Sequence, residues 1–116
     1  MSGTVSWNLQ LSVRDNRLDG ARTLMEEMVE STRNEKGALG YEWFLAGNVC
    51  HLQERYADSD AVVAHLGTFG EKFAERFLQH FEPTGLWVYG EPSDEARAIL
   101  DGFGAVYLGP FGGFVR

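Results

Sequence analysis

The sequence predicts an α+β protein in which an antiparallel sheet of four strands is covered on one face by two helices. Three observations indicate this fold class. Val5–Val13 alternates apolar and polar residues, two amphipathic helical stretches follow the first and third predicted strands, and Gly47-Asn48 separates two runs of aromatic and branched residues. Period two is typical of strands, three- and four-residue steps are typical of helices, and Gly-Asn between apolar runs indicates a hairpin.

The first strand and the first helix are predicted between Val5 and Asn34. Alternation places Trp7 on the apolar face of the strand and Asn8 on the polar face. Asp15 and Asn16 supply turn and helix-capping chemistry before the helix begins. The helix then shows one apolar stripe, which consists of Leu18, Ala21, Leu24, Met25, Met28, Val29 and Thr32.

The hairpin and the second helix are predicted between residues 39 and 81. Strands over residues 39–45 and 49–56 flank the turn, and Asp58 then caps a helix that Gly70 interrupts. Glu82-Pro83 is expected to end this helix after Phe81, because proline disfavours a helical residue before it. A fourth strand over residues 86–89 completes the order βαββαβ, the ferredoxin-like arrangement.

A C-terminal extension, residues 91–116, follows the core of residues 5–90, and residues 1–116 are expected to form a single domain. In the extension, Ser93 begins a short helix that ends at Gly102, and residues 105–108 are typical of a strand. The segment from Gly109 to Phe114 is apolar and uncharged. Because burial of phenylalanine is favourable, we expect this tail to pack on its own subunit or across a dimer.

Composition and charge exclude several classes of partner. The formal net charge is −7 and the basic residues are scattered, which argues against nucleic acid and against anionic membrane surfaces. No apolar run approaches the ~20 residues that span a bilayer. Cys50 is the only cysteine, so an internal disulfide is impossible, and the first residues lack signal-peptide features. We therefore expect a cytoplasmic protein without nucleic-acid or membrane partners.

Three residues are candidates for catalysis: His65, Glu54 and Tyr56. Helical spacing turns His65 toward the sheet, and period two places Glu54 and Tyr56 on the same strand face as Cys50 and Leu52. A partly buried imidazole exchanges protons near neutral pH, and a carboxylate among apolar neighbours can assist it. The alternative is structural, with His65 and Glu54 as core groups that internal hydrogen bonds satisfy.

Aromatic side chains are the candidates for substrate binding. Trp7, Trp43 and Phe69 are expected to rim an apolar pocket, and Phe73 follows Phe69 by one helical turn. No metal ligands are indicated, because the three histidines lack the short spacing of a ligand pair. No dinucleotide-binding fingerprint occurs either, so no cofactor is expected.

One ordered set of residues spans the middle of the chain: Gly37, Tyr41, Glu42, Glu54, Tyr56, Asp58, Ala61, His65 and Phe73. This set resembles the antibiotic biosynthesis monooxygenase family, whose members are dimeric α+β barrel proteins. The resemblance implies a homodimer that pairs its bare sheet faces. It also implies a cofactor-independent monooxygenase that acts on a small aromatic or quinol-type substrate.

The resemblance leaves two other functions open. One is a non-catalytic dimeric module for small-ligand binding or stress response, because a fold does not determine a function. The other is haem degradation, in which a strand amide and a helix tryptophan assist a haem-ligating histidine. The sequence fits haem degradation poorly, since Asn8 lies on the face opposite Trp7 and neither main helix contains a tryptophan.

Overall fold

The computed structural model describes residues 3–116 as a five-stranded sheet with helices packed on one face. The elements are β1 Val5–Val13, α1 Leu18–Arg33, β2 Ala38–Ala46, β3 Val49–Tyr56, α2 Ser59–Lys72, α3 Ala74–His80, β4 Phe81–Tyr89, α4 Asp94–Leu100, a 3₁₀ turn Asp101–Phe103 and β5 Val106–Leu108. No helix between residues 3 and 116 is long and apolar enough to cross a membrane.

The strand order of the open sheet is β2-β3-β1-β4-β5, and only the pair β4-β5 is parallel. The first four strands and their two helical crossovers form the predicted ferredoxin-like core, so the predicted α+β class is confirmed. The short helix and strand predicted for the extension are present as α4 and β5. Because the helices cover one face, the other face of the sheet is left without a covering layer from residues 3–116.

Register determines which side chains meet on the helix-covered face. In the antiparallel pair β1-β3, Trp7 lies opposite Glu54, Leu9 opposite Leu52, and Leu11 opposite Cys50. Successive side chains of a strand point to opposite faces. The buried residues of β3 are therefore Cys50, Leu52, Glu54 and Tyr56, as the alternation predicts.

Most of the predicted turns and caps are present. Gly47 has φ 62° in the two-residue hairpin loop, a conformation that glycine adopts without strain. Asp58 accepts a hydrogen bond from the Ala61 amide, and Ser93 caps α4 in the same way. Asp15 and Asn16 form the predicted turn but not a cap, since α1 begins after Arg17 without a side-chain cap.

The prediction for the second helix is wrong at two points, the position of its break and its C-terminal end. The helix breaks at Phe73, with φ −125°, and not at Gly70, and its continuation α3 ends at His80. Phe81 begins β4, pairs with Val13 and is 2% exposed. An aromatic residue at this junction is buried whether the backbone is helical or extended, so apolar spacing does not locate the boundary.

Strand β4 contains Pro83, which the sequence analysis expected as a helix terminator. Its pairing with β1 shifts register between Gln10 and Leu11, so that one residue of β4 is left over. Strand β5 pairs only with the far end of β4, from Trp87 to Tyr89. Pro83 therefore stands where β4 has one neighbour, and a missing amide donor is tolerated at such edges.

The buried apolar residues form two clusters on the helix-covered face. One surrounds α1 and consists of Leu11, Val13, Ala21, Leu24, Met28, Cys50, Phe73, Phe77 and Phe81. The other lies under α2 and α4 and consists of Val5, Trp7, Tyr56, Val62, Leu86, Val88, Ala96 and Leu100. The buried residues with polar or charged side chains are Thr32, Glu54 and His65. Burial of such groups is unfavourable without partners, so Glu54 and His65 require hydrogen-bond or charge partners in the core.

The extension is only partly packed. β5 docks on β4, and the Gly90 amide donates to the Leu108 carbonyl at 3.1 Å. Beyond β5, Phe111 and Phe114 remain exposed on this chain, with exposed fractions of 107% and 78%. The expected packing of the tail on its own subunit is therefore absent for these two rings.

Candidate functional site

Glu54 is the centre of a buried hydrogen-bond cluster. The Trp7 indole Nε1–H donates to Glu54 Oε2 at 2.6 Å, and the Tyr56 hydroxyl donates to Oε1 at 2.5 Å. His65 Nε2 lies 3.2 Å from the same Oε1. These donors come from β1, β3 and α2, and the strand register and helix phase bring them together. Three donors thereby offset the unfavourable burial of the carboxylate of Glu54, a residue that is 5% exposed.

His65 connects Glu54 to a second carboxylate that the sequence analysis missed. His65 Nδ1 lies 2.9 Å from Glu35 Oε1, while Nε2 faces Glu54. Glu35 follows α1, and its side chain is 20% exposed, against 8% for His65. Burial by itself lowers the pKa of His65, but the hydrogen bonds and charges of Glu35 and Glu54 raise it to about 9. At neutral pH His65 is therefore an imidazolium between two carboxylates.

Two tyrosines beside this ion pair remain neutral. Burial, and then the negative charge of Glu54, raise the pKa of Tyr56 and of Tyr41 far above the usual range. Tyr56 uses its proton in the bond to Glu54. The buried Tyr41 oxygen has no hydrogen-bond partner among the described residues: Thr32 and Trp43 lie beside it and oppose the rise in its pKa, but neither meets hydrogen-bond geometry.

An apolar cavity of about 150 Å³ adjoins the cluster. Its deep end contains Trp7, Tyr41, Glu54 and His65, and the rest of its wall is aliphatic or aromatic. That remaining wall consists of Leu9, Met28, Leu52, Leu66, Phe69, Gly70, Ala74, Phe77, Leu78, Pro83, Leu86, Leu100 and Phe103. Ligand sites are typically concave and apolar with a few convergent polar groups, and this cavity has that character.

Most of the predicted site residues meet at this cavity. Trp7, Glu54, His65 and Phe69 line it. Tyr56 contacts Glu54 and His65 but is not one of the lining residues. Trp43 instead packs on Phe81, with ring centroids 5.4 Å apart. Phe73 lies in the cluster around α1. A substrate-binding role of Trp43 and Phe73 stays a prediction.

The other reactive side chains lie elsewhere. Cys50 is buried outside the cavity, and burial raises the pKa of its thiol to about 11, so the thiolate is scarce at neutral pH. His80 Nδ1 lies 2.7 Å from the Arg76 carbonyl oxygen. Within residues 3–116, no three His, Cys, Asp or Glu side chains are arranged to hold a metal ion. Carboxylate and imidazole groups in hydrogen-bond contact, such as Glu35, His65 and Glu54, are able to exchange protons.

The fold and the site define a small α+β protein with a hydrogen-bonded cluster of carboxylate, imidazole and aromatic side chains at an apolar cavity. The sequence model of one family, antibiotic biosynthesis monooxygenase, matches residues 4–83. The chain belongs to this family, and the resemblance seen in the sequence is confirmed. Membership supports a monooxygenase-like or small-molecule-binding role, and members of the family are commonly dimeric.

Solved structures share the fold at low sequence identity. MupZ from Pseudomonas fluorescens superposes with a TM-score of 0.90 at 23% identity, covering 100% of this chain and 91% of its own. Rv0793 from Mycobacterium tuberculosis has a TM-score of 0.68 at 21% identity, and the match covers 78% of this chain and 97% of Rv0793. SO0527 from Shewanella oneidensis has a TM-score of 0.67 at 14% identity, and the match covers 77% of this chain and 91% of SO0527. No curated protein matches the chain.

Proposed function

We propose that the protein is a cofactor-independent monooxygenase that oxidises a small, electron-rich aromatic or quinol-type substrate. One observation carries the proposal: the Glu54 carboxylate faces an apolar cavity while three donors hold it in place. Within the described part of the chain its Oε2 accepts one bond, from Trp7, and a carboxylate oxygen can accept two. Glu54 thus has an acceptor position for a substrate proton.

Proton removal from the substrate is the step that the cluster would assist. Because His65 is protonated at rest, the role of base passes to Glu54, and His65 supplies the compensating positive charge. Transfer of a proton from a substrate hydroxyl or acidic C–H to Glu54 leaves the total charge of the enclosed groups unchanged. This matters because every uncompensated charge in an apolar site is costly.

The resulting electron-rich anion is the species that would reduce dioxygen. For a ring CH₂ beside a phenol or ketone, the balance is CH₂ plus O₂ giving C=O plus H₂O. One oxygen atom enters the product, and the other leaves as water with the two hydrogens of that carbon. The carbon loses four electrons and dioxygen gains four. The chain would bind the substrate, take the first proton and exclude water.

Oxygen uptake by metal-stripped protein tests this proposal. We expect uptake on part of a panel of dihydroxy-aromatics. Uptake should fall ~10² to 10⁴ in His65→Ala, because Glu54, the base, then lacks the imidazolium that compensates its charge. His51→Ala is the matched control, because His51 points to the other face of the sheet. No uptake across the panel would contradict the oxygenase. Uptake that survives His65→Ala would remove the histidine from the mechanism.

A second candidate is an acid–base isomerase that needs no dioxygen. The observation that favours it is that His65 and Glu54 line the same cavity, with His65 Nε2 3.2 Å from Glu54 Oε1. Glu35 and Glu54 also raise the pKa of His65 to about 9. Such a pair can move a proton between two substrate atoms without net oxidation. Deuterium incorporation from D₂O into a panel substrate under nitrogen would favour this function. If the protein binds compounds of the panel but neither incorporates deuterium into them nor oxidises them, its function would be ligand binding.

We also propose a homodimer that covers the tail. The exposed apolar residues Phe111, Phe114 and Val115 support contacts beyond the single chain, and each buried phenylalanine contributes about 1.5 to 3 kcal/mol. We expect light scattering to give twice the chain mass of 13.0 kDa. Deletion of residues 109–116 should weaken association at least ~10-fold. A monomer at micromolar concentration, or a dimer indifferent to the deletion, would contradict this.

A further inference from the structure

The volume of the cavity limits what it can enclose. An apolar cavity of about 150 Å³ holds one molecule of the size of benzene. A ligand with two or three fused rings therefore cannot lie wholly inside. Either the wall moves, or only one ring of the ligand enters and the remainder stays outside.

The cavity has a closed polar end and an open apolar end. At the polar end Trp7, Glu54 and His65 are 4%, 5% and 6% exposed. At the other end Leu78 and Phe103 line the cavity while 52% and 47% of each residue remains exposed. Gly70 and Pro83 also line the cavity and are exposed, so the mouth is rimmed by the end of α2, by α3, by the start of β4 and by the 3₁₀ turn. A ligand that extends outward across this rim passes Phe103.

The C-terminal extension supplies one side of this mouth. Leu100, which is 1% exposed, and Phe103 both line the cavity and both lie beyond residue 83, where the family match ends. The Phe103 ring meets Phe69 of α2 edge to face, with centroids 6.2 Å apart.

Contacts at both ends hold the extension in place. The Ser93 amide donates to Ser59 Oγ of α2 at 2.9 Å, and β5 pairs with β4. Within the extension, the Tyr107 hydroxyl donates to Asp101 Oδ1 at 2.6 Å. The Arg97 guanidinium lies over the Tyr107 ring, 4.3 Å from its centroid. Phe103 is thus presented at the mouth from an anchored segment.

We propose that Phe103 determines substrate size: one ring enters to Glu54, and a longer ligand extends outward past Phe103. The ligand class is a phenol or enol with one ring at its polar end and a narrow, uncharged continuation. A fused ring system exceeds the volume of the cavity and is expected to bind less well. This inference deepens the proposed function, because it rests on the same cavity as the substrate site.

Calorimetric binding tests the inference without any turnover. The ligands are phenol, 4-butylphenol and 1-naphthol, titrated into the full chain under nitrogen. We expect the natural protein to bind 4-butylphenol at least as tightly as phenol and to discriminate against 1-naphthol. In Phe103→Ala the affinity for 1-naphthol relative to phenol should rise about tenfold, while Phe103→Trp should weaken 4-butylphenol relative to phenol.

Two variants complete the experiment. Phe103→Leu keeps an apolar side chain, so it tests the inference even if the alanine variant misfolds. It should also raise the affinity for 1-naphthol relative to phenol. Phe111→Ala removes an exposed ring of the same extension that does not line the cavity, and the ratio should stay unchanged. A ratio within twofold of the natural protein in Phe103→Ala and Phe103→Leu would overturn the inference, as would absence of phenol binding. Binding without oxygen uptake would contradict only the proposed monooxygenase.

Discussion

Glu54→Gln is expected to reduce turnover by ~10² to 10⁴ and to destabilise the fold by about 3 kcal/mol. Glutamine keeps the shape of the side chain, but it removes the proton acceptor and the negative charge that faces His65. It also brings an amide N–H₂ group against the donors of Trp7 and Tyr56, one of which must lose its acceptor. A buried donor without an acceptor is unfavourable, so stability and activity fall together.

Two controls separate the catalytic from the structural effect of Glu54. Glu26→Gln makes the same chemical change on the exposed face of α1 and should leave both properties unchanged. Trp7→Phe deletes one hydrogen-bond donor to Glu54 and keeps the carboxylate, so turnover should fall less than in Glu54→Gln. Oxygen uptake and urea unfolding, measured on the same preparations, give the two quantities. A Glu54→Gln protein with natural turnover would exclude Glu54 as the base.

Stability is expected to fall as pH rises from about 6.5 to about 9, because His65 is held protonated in the folded state. The pKa of His65 is raised from 6.5 to about 9 on folding, so folding favours the bound proton. The contribution is complete below pH 6.5 and is lost as pH passes about 9. Its size follows from the shift and amounts to as much as about 3 kcal/mol.

The two tyrosines that face His65 do not titrate within this range. Glu35 and Glu54 are its hydrogen-bond partners, and burial raises the pKa of Tyr41 and Tyr56 well above it. Urea unfolding at pH 6, 7.5 and 9 measures the effect. His65→Gln should flatten the profile, whereas His51→Gln, on the other sheet face, should retain it. Parallel profiles for the natural protein and His65→Gln would show that His65 does not hold this proton.

The strand faces of the candidate site were predictable because they depend on local backbone geometry. Alternation along residues 49–56 places Glu54 and Tyr56 on the buried face, and helical spacing turns His65 toward them. The hairpin turn at Gly47 and the cap at Asp58 have equally local causes. These signals need only the period of the element and the chemistry of a turn.

Glu35 and Phe103 were not predictable in this way. Glu35 lies in a loop without periodicity, and its partner His65 is 30 residues away. Phe103 is one of several phenylalanines in an apolar extension, and only the packing of α4 on α2 distinguishes it from Phe111. The end of the second helix at His80 escaped prediction for a related reason, since Phe81 is buried in either conformation.

The sequence by itself determined the order of elements, the inward faces of the strands and the family, because short-range periods and an ordered motif carry that information. Only the tertiary structure decided where the proton of the site resides, how large the cavity is and which side chains form its mouth. The reason is physical: a pKa depends on distances between charges from different elements, and a cavity is the space that their packing leaves empty. Neither quantity is a property of any one segment of the chain.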